Sequence, residues 1–476
     1  MKFQLSPDVN ENKIFIANFS ELSDRYDPDM VLFRRKVHDF RYPVERMHKF
    51  FSTSPQYGAN EKGIERETSE EPRYVRITDI NEYGLLSKEL GATAEVIEPQ
   101  YLLEENDLLF ARSGNTVGKS YIHKTEKVAY PCFFAGYLIR LRFDEKRVLP
   151  DYIFALTQLP YYKSWVRAIQ RASGQPNINA QEYSNLDICI APMSVQVQIV
   201  KRLDEAYAAK KKKDAQAKAQ LAGIDALLLR ELNITPAPTL SNTIQNRVFI
   251  RQFSEVVGER FDAHFCQPKF DDLHLALDKL EAQPLQLLSK NILSGITPKS
   301  GSDAYVEDKG IAFIRSGDFN ADGTVNEDDL IYLAPAIHDG LMKRSQLEKN
   351  DVLFAIVGAT IGKVGIFTGD YPANINQAVC AVRLKPAVRP RYLHAFFLSN
   401  LGQRQIEQIK RPVARANINL EEIGSLRVPI PSQKIQERIE EGVKALFELK
   451  RQLEKDAQSE LESAKAEIEA MILGSA

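Results

Sequence analysis

The sequence predicts an α+β fold: two tandem copies of one mixed α/β domain, each followed by a long helix, with the two helices forming an antiparallel coiled coil. Three observations predict it. The first is an internal echo: Asn106 to Lys119 reads NDLLFARSGNTVGK and Asn350 to Lys363 reads NDVLFAIVGATIGK, identical at nine of fourteen positions. The second is that further phrases recur in the same order. KIFIANFSELSDRYD at Lys13 is answered by RVFIRQFSEVVGERFD at Arg247, YVRITDINEYG at Tyr74 by FIRSGDFNADG at Phe313, and NINAQEYSNLDICI at Asn177 by NINLEEIGSLRVPI at Asn417. A period of about 240 residues means duplication of a whole domain rather than a solenoid. The third is that both halves end on a long amphipathic stripe.

Each half opens with short runs of strand character: Arg73 to Ile80, Asp107 to Ala111, Ser120 to His123 and Tyr137 to Phe143 in the first, and Ala312 to Ser316, Asp351 to Val357, Val364 to Phe367 and Val379 to Leu384 in the second. A helical stretch follows in each, Pro150 to Ile169 and Pro390 to Ile409, with proline in the first turn, where its missing N–H costs nothing. Then come a polar loop with Asn-Ile-Asn, a strand and the closing helix. From Ser194 to Leu232 the apolar positions are Ile199, Leu203, Ala206, Tyr207, Leu221, Ile224 and Leu228. From Ser432 to Leu473 they are Ile435, Ile439, Val443, Leu446, Leu449, Leu453, Leu461, Ala464, Ile468 and Met471. A lone helix of that length leaves its stripe in water, so each needs a partner, and each is the natural partner of the other. The domain plan is residues 1–191, a helix over 192–232, a Pro, Thr and Ser-rich linker over 233–246, a second domain over 247–431 and a helix over 432–474. An antiparallel pairing predicts heads at opposite ends of a rod, a pseudo-dimer suited to gripping two places on a long ligand.

Composition excludes more than it assigns. With 62 basic and 64 acidic residues the net charge is −2, so any basic surface comes from local segregation. Cys132, Cys189, Cys266 and Cys380 are scattered without a CxxC pair, which predicts free thiols in a reducing compartment. No signal-peptide pattern or run of ~20 apolar residues is present, so no membrane is expected and the protein is expected in the cytoplasm. Enzyme motifs are missing: there is no Asn/Asp-Pro-Pro-aromatic tetrapeptide, no GxGxxG after a strand, no HExxH and no Cys/His group at zinc spacing. SGNTVGKS invites a phosphate-loop reading but fails on spacing. Only three residues separate Gly114 from Gly118, SYIH after it reads as a strand, and GATIGKV in the second copy lacks the hydroxyl for magnesium.

The order of mixed domain, long helix, mixed domain, long helix resembles the specificity subunit of type I restriction-modification systems. So do the paired NDLLFARSGNTVGK and NDVLFAIVGATIGK phrases, the Asn-Ile-Asn segments and the helix openings PMSVQVQIVKRLDE and PSQKIQERIEEGVKAL. The resemblance implies two target-recognition domains, each reading one part of a bipartite double-stranded DNA sequence. It also implies helices that space the domains and dock two methyltransferase subunits, with restriction and motor subunits completing the assembly. No cofactor is expected on this chain; S-adenosylmethionine, ATP and magnesium belong to the partners, and the subunit is not itself an enzyme. The acidic stretch Glu61 to Glu71 departs from the pattern, because negative charge repels phosphate; it either faces away from DNA or marks a changed contact mode. The alternative function is a coiled-coil scaffold for proteins without DNA binding.

Candidate DNA-contacting residues lie in polar loops that share a place in both copies but differ in side chain. Before the Asn-Ile-Asn segment the first copy has Arg171, Ser173, Gln175 and Asn177, and the second has Lys410, Arg411, Arg415 and Asn417. Arg171 and Arg411 stand at equivalent positions and are expected on phosphates, while Gln175 and Arg415 differ as unlike half-sites require. A second group is Arg76 and Thr78 against Arg315 and Ser316, with Arg112, Asn115 and Thr116 beside Thr360. Lys119 and Lys363 follow the glycine turns and are expected on phosphates. Lys210 to Lys213 are either a solvated helix face or a cationic run beside unread spacer DNA. The plain alternative for these loops is solvated surface, and for the glycine phrases a tight β-turn.

Overall fold

The computed structural model describes residues 15–17, 28–36, 40–87, 90–128, 130–170, 176–235, 248–252, 260, 262–307, 310–411 and 416–473. It comprises two compact units, Met1–Lys213 with Lys455–Ala476, and Asp214–Glu454. Most of the predicted linker 233–246 lies outside the described residues.

The first unit holds helices α1 (Pro28–Lys36), α2 (Pro150–Thr157), α3 (Pro160–Ile169), α4 (Ala180–Ser184) and the first part of α5 (Met193–Glu231). Its strands are β1 (Val44–Arg46), β2 (Gln56–Tyr57), β3 (Ile64–Glu65), β4 (Arg73–Val75), β5 (Ala92–Thr93), β6 (Leu108–Ala111), β7 (Ser120–Ile122), β8 (Cys132–Phe134), β9 (Leu138–Leu141) and β10 (Asp187–Cys189). One antiparallel sheet has the order β2-β9-β6-β7, a second has β3-β5-β4-β8 with β4 and β8 parallel, and β1 pairs with β10.

The second unit repeats this strand for strand. Its helices are α6 (Asp271–Lys279), α7 (Leu285–Leu288), α8 (Pro335–Asp339), α9 (Pro390–Leu398), α10 (Asn400–Ile409), α11 (Leu420–Ser425) and part of α12 (Gln433–Ile472). Its strands are β11 (Gln283–Pro284), β12 (Ser289–Ser294), β13 (Tyr305–Val306), β14 (Ile311–Ile314), β15 (Ile331–Leu333), β16 (Val352–Ala355), β17 (Val364–Ile366), β18 (Ala373–Ile375), β19 (Val379–Leu384) and β20 (Arg427–Val428). The orders are β12-β19-β16-β17, β13-β15-β14-β18 with β14 and β18 parallel, and β11-β20.

The repeated LFA phrase is a strand buried on both faces, which is why it is apolar without alternation. Leu108 and Phe110 join Ile153, Tyr162 and Trp165 of the helices, while Leu109 and Ala111 join Val75 and Phe134 of the second sheet. Val352 and Phe354 against α9, and Leu353 and Ala355 against Ala312 and Ile314, do the same in the other unit. Each head is therefore three layers: helices, sheet, sheet. The Asn-Asp pair before the strand is scaffold too. Asn106 and Asn350 take φ of 68° and 74°, a left-handed turn that asparagine tolerates. Asp107 and Asp351 are each 1% exposed and accept the guanidinium of Arg142, just past the end of β9, and of Arg383 on β19.

Two expectations change. The stretch predicted helical over Pro150 to Ile169 is two helices, because Pro160 lacks the N–H a continuous helix needs. The second copy breaks at the same place without proline, through Ser399, whose hydroxyl caps α10 by accepting the Gly402 N–H at 3.4 Å. The strand predicted over Arg73 to Ile80 stops at Val75, because Arg76 opens a turn closed by Asp79, whose N–H donates to the Arg76 carbonyl at 3.0 Å.

The long helices span Met193–Glu231 and Gln433–Ile472. Inside the first unit Ile199, Leu203 and Ala206 share a core with Leu461, Ala464, Ile468 and Ile472. Arg202 and Lys213 reach Glu467 and Glu460, each at 2.7 Å. Inside the second unit Leu227 packs on Gly442, and Arg438 reaches Glu231 at 2.8 Å. In both units numbers fall along one helix as they rise along the other, so the pairing is antiparallel within each. Leu449 is off the stripe, 47% exposed, and Phe447 fills the core in its neighbourhood. No helix among the described residues is long and apolar enough to cross a membrane.

Candidate nucleic-acid interface

One construction recurs in both heads: the glycine turn after the buried strand is stitched to the Asn-Ile-Asn segment. In the first unit the Gly114 N–H donates to the Pro176 carbonyl at 3.0 Å, the Ile178 N–H donates to the Arg112 carbonyl at 2.8 Å, and Ser113 pairs with Asn177. In the second, Gly358 donates to Ala416 at 3.1 Å, Ile418 to Ile356 at 2.9 Å, and Val357 pairs with Asn417. The left-handed φ of 72° at Gly114 and 74° at Gly358 lets the chain turn back here. Each residue of the Asn-Ile-Asn phrase has its own task. The outer asparagines Asn177 and Asn417 are exposed, Ile178 and Ile418 are buried anchors, and Asn179 and Asn419 cap α4 and α11 in reciprocal capping boxes with Glu182 and Glu422.

The predicted residues distribute around this seam. Arg112, Asn115, Thr116 and Asn177 stand together on it, Asn115 and Asn177 exposed, with the Thr116 hydroxyl donating to the Ser113 carbonyl at 3.3 Å. Lys119 is half-buried and donates to the Ile80 carbonyl at 3.1 Å, tying the glycine turn to the turn after β4. The second head makes that link differently, with the Thr360 hydroxyl donating to the Ser316 hydroxyl at 2.9 Å while Lys363 stays exposed. Lys410 closes α10, and the next residue, Arg411, bonds the Glu422 carboxylate at 2.7 Å and the Asn417 carbonyl at 3.3 Å. Arg171, Ser173, Gln175 and Arg415 lie outside the described residues.

Arg76 and Arg315 are braced, not loose. Each donates its backbone N–H, Nε and Nη2 to one carboxylate three residues on, Asp79 in the first head and Asp318 in the second, at 2.8–3.2 Å. The hydrogen bonds to Asp79 and Asp318 lift both guanidinium groups above their ordinary range, and both stay partly exposed, 43% and 37%. A guanidinium held this way keeps donors free in a fixed plane, which suits a phosphate or a base edge. The register corrects one pairing: Arg76 matches Arg315 and Asp79 matches Asp318, so Ser316 answers Ile77, and Thr78, exposed, answers Gly317.

Sequence reasoning missed Tyr57. Its ring lies under the Arg112 guanidinium, 4.7 Å from centroid to Cζ, and its hydroxyl accepts the Ala180 N–H at 3.2 Å. The second copy has serine in that place, so the echo gave no signal. The recurring Arg-x-x-Asp phrase, by contrast, was in plain view. The acidic stretch folds on itself: buried Arg66 donates to the carbonyls of Ser69, Glu71 and Leu90 at 2.6–3.0 Å and lies over the Tyr130 ring. Of the helix lysines, Lys210 sits over the Tyr83 ring and Lys213 pairs with Glu460, leaving Lys211 and Lys212 exposed.

Among known proteins, the family model described as the type I restriction modification DNA specificity domain matches residues 63–221 and 292–463, once in each half and over more than half of the chain. The chain is similar to the specificity subunit of the Escherichia coli type I restriction enzyme EcoBI, 37% identical over 155 residues, which is 32% of this chain and 32% of the relative. That match spans about a third of the relative's length. Among solved structures it is similar to a chain from work on complex assembly and conformational transition of the type I R-M system, at 14% identity and TM-score 0.45 over 90% of this chain and 95% of that one. It is also similar to the type I restriction-modification S subunit of M. genitalium, at 12% identity and TM-score 0.39 over 96% and 99%. At those scores the two structures add no weight to the domain match, which falls separately on each of two heads built to one plan. The chain belongs to the type I restriction-modification DNA specificity family.

Proposed function

We propose that this chain is the DNA-reading specificity subunit of a type I restriction-modification assembly, without catalysis of its own. Its target is two short specific blocks of double-stranded DNA separated by an unread gap, one block per head, with a gap that reflects the length of α5 and α12. Two methyltransferase subunits bring S-adenosylmethionine, restriction and motor subunits bring ATP and magnesium, and the assembly works in the cytoplasm. The observation that carries this reading is that one family domain occurs twice on an identical frame whose exposed side chains differ. A repeated frame supplies the same docking to phosphates, and unlike side chains read unlike bases. Lys119, Lys363, Arg76, Arg315, Arg171 and Arg411, with the recurring Asn177, Asn417 and Thr360, are assigned to positioning; Asn115, with the loop residues Ser173, Gln175, Lys410 and Arg415, is assigned to the reading edge.

The test is selection from a randomised duplex library by the full chain, alone and with its methyltransferase partner, across a range of salt. The proposal expects two conserved blocks at fixed spacing and affinity that falls steeply with salt. Binding that ignores salt and sequence overturns it in favour of a protein-binding scaffold, and a single continuous block overturns the two-head reading.

A further inference from the structure

We infer that Arg112, held on the ring of Tyr57, reads a guanine in the block recognised by the first head; this rests on the DNA-binding reading above. The two heads share a frame, and the sheet register says which side chains stand at each point of it. Tyr57 pairs with Ile139 as Ser294 pairs with Cys380, and Ile139 and Cys380 lie opposite Phe110 and Phe354 on the central strands. The Arg112 N–H donates to the Tyr137 carbonyl as the Ile356 N–H donates to that of Ala378, at 3.0 and 2.9 Å. So Tyr57, Arg112, Asn115 and Tyr137 of the first head stand where the second has Ser294, Ile356, Ala359 and Ala378. The backbone between them is the same, and the frame residues Thr116, Lys119 and Asn177 recur as Thr360, Lys363 and Asn417. These four differences fall together beside the stitched seam.

That patch has the physical marks of a polar ligand's seat. Tyr57 and Tyr137 are 40% and 62% exposed, far more than a folded head gains from leaving aromatic surface in water. Arg76, Arg140, Arg142, Arg315 and Arg411 all bond a carboxylate, but among the described residues none bonds the Arg112 guanidinium, and its Nε is buried without any partner. Ile356 shows that the frame closes over an aliphatic side chain at this point, being only 5% exposed, so folding does not require an arginine here. What the arginine gains is a fixed plane: the ring beneath it and the Tyr57 hydroxyl tied to Ala180 hold the guanidinium in one orientation, with its Nη edge left to donate. Two parallel donors match the O6 and N7 acceptors of guanine in the major groove. Adenine offers a donor beside its acceptor there, and thymine a methyl group beside its own.

The experiment compares sites selected from a randomised duplex library by the full chain and by Arg112→Lys, Tyr57→Phe, Tyr57→Ala and the double variant Tyr57→Ser with Arg112→Ile. The double variant installs the second head's own pair on the shared frame, so folding is expected to survive, and circular dichroism checks it. The inference expects an invariant guanine in one block of the parent site. Discrimination at that base should drop roughly 10- to 100-fold in the double variant, Tyr57→Ala and Arg112→Lys, with the other block unchanged and Tyr57→Phe close to the parent. It is overturned if a folded double variant keeps the parent's block. It is also overturned if affinity falls equally for every sequence with a shallower salt slope, the mark of a phosphate contact. A parent chain that selects no sequence at all is a different failure, that of the DNA-reading proposal itself.

Discussion

Replacing Asp107 with alanine should unfold the first unit far more easily than the matching change at Asp351 unfolds the second. Asp107 accepts the Glu104 N–H at 2.9 Å, Arg142 Nε and Nη2 at 2.5 and 3.1 Å, and Arg140 Nη1 at 3.3 Å. Asp351 accepts the Glu348 N–H at 2.8 Å and Arg383 Nε and Nη2 at 3.0 and 2.8 Å, and Ala381 stands where Arg140 would be. Arg140 is the difference. It is 8% exposed, and burial pulls its guanidinium below the ordinary range, so without Asp107 it is a buried charge with no carboxylate. Breaking a buried ion pair by removing one partner costs about 3–5 kcal/mol. The upper end applies to Asp107→Ala, which takes from buried Arg140 its only carboxylate among the described residues while Arg142 keeps Glu104 at 2.9 Å, and the lower end to Asp351→Ala, where Arg383 is 21% exposed and keeps Glu348 at 2.6 Å. The only tryptophan, Trp165, is 4% exposed in the first unit's core, so its fluorescence reports that unit alone. At roughly 1–3 kcal/mol per molar urea, the Trp165 midpoint should fall by at least about 1 M in Asp107→Ala and stay near the parent in Asp351→Ala, whose loss appears in circular dichroism. An unmoved Trp165 midpoint with lost DNA binding would refute the scaffold assignment and make Asp107 part of the reading surface.

Three further outcomes are expected. Burial pulls the His394 imidazole down to about 4 from an ordinary 6.5, so the unfolded chain takes the proton first as pH falls. The second unit should keep full stability above about pH 6.5 and lose up to roughly 3 kcal/mol between there and pH 4; His394→Phe, which copies Phe154 of the first head, should flatten that part of a denaturation series taken against pH. Gly323 has φ of 78°, and a Cβ there would stand 2.0 Å from His394 Nε2; Gly323→Ala should destabilise by roughly 1–3 kcal/mol, with partial rescue by His394→Ala in the same melt. Lys363→Ala should lower the slope of log affinity against log salt by about 0.9 without changing the sequences selected, and Lys119→Ala by less, because its ammonium already donates to Ile80; equal slopes for both would contradict the positioning assignment.

The architecture was legible because duplication writes itself twice. The echo gave the two heads, and the three-and-four spacing gave helices that end within two residues of the predicted limits. Helix breaks were less legible. Pro160 is a visible stop, but Ser399 ends a helix through a cap whose partner is known only when the chain is folded. Strand ends failed for a related reason: Arg76 and Arg315 look like strand residues until Asp79 and Asp318 draw them into a turn.

The candidate site was legible in place and less so in membership, for a reason that belongs to repeats. Residues that recur in both heads attract notice, yet recurrence marks what the shared frame needs. Asn106 and Asn350 hold a left-handed turn, the buried Asp107 and Asp351 hold neighbouring arginines, and Asn179 and Asn419 cap short helices. A residue that reads DNA in one head has no reason to reappear in the other if the two blocks differ. Tyr57 is invisible to the echo because Ser294 answers it, and Arg112 is seen only as a flaw in the match where Ile356 stands. The five mismatches in the fourteen-residue phrase divide along the same line. Leu108 against Val352, and Val117 against Ile361, are exchanges of one aliphatic side chain for another against the helix layer. Arg112, Ser113 and Asn115 against Ile356, Val357 and Ala359 are exchanges of polar for apolar at the stitched seam. In a duplicated reader the signal for specificity is therefore the polar mismatch on a surface seam, and the identity is the signal for the frame.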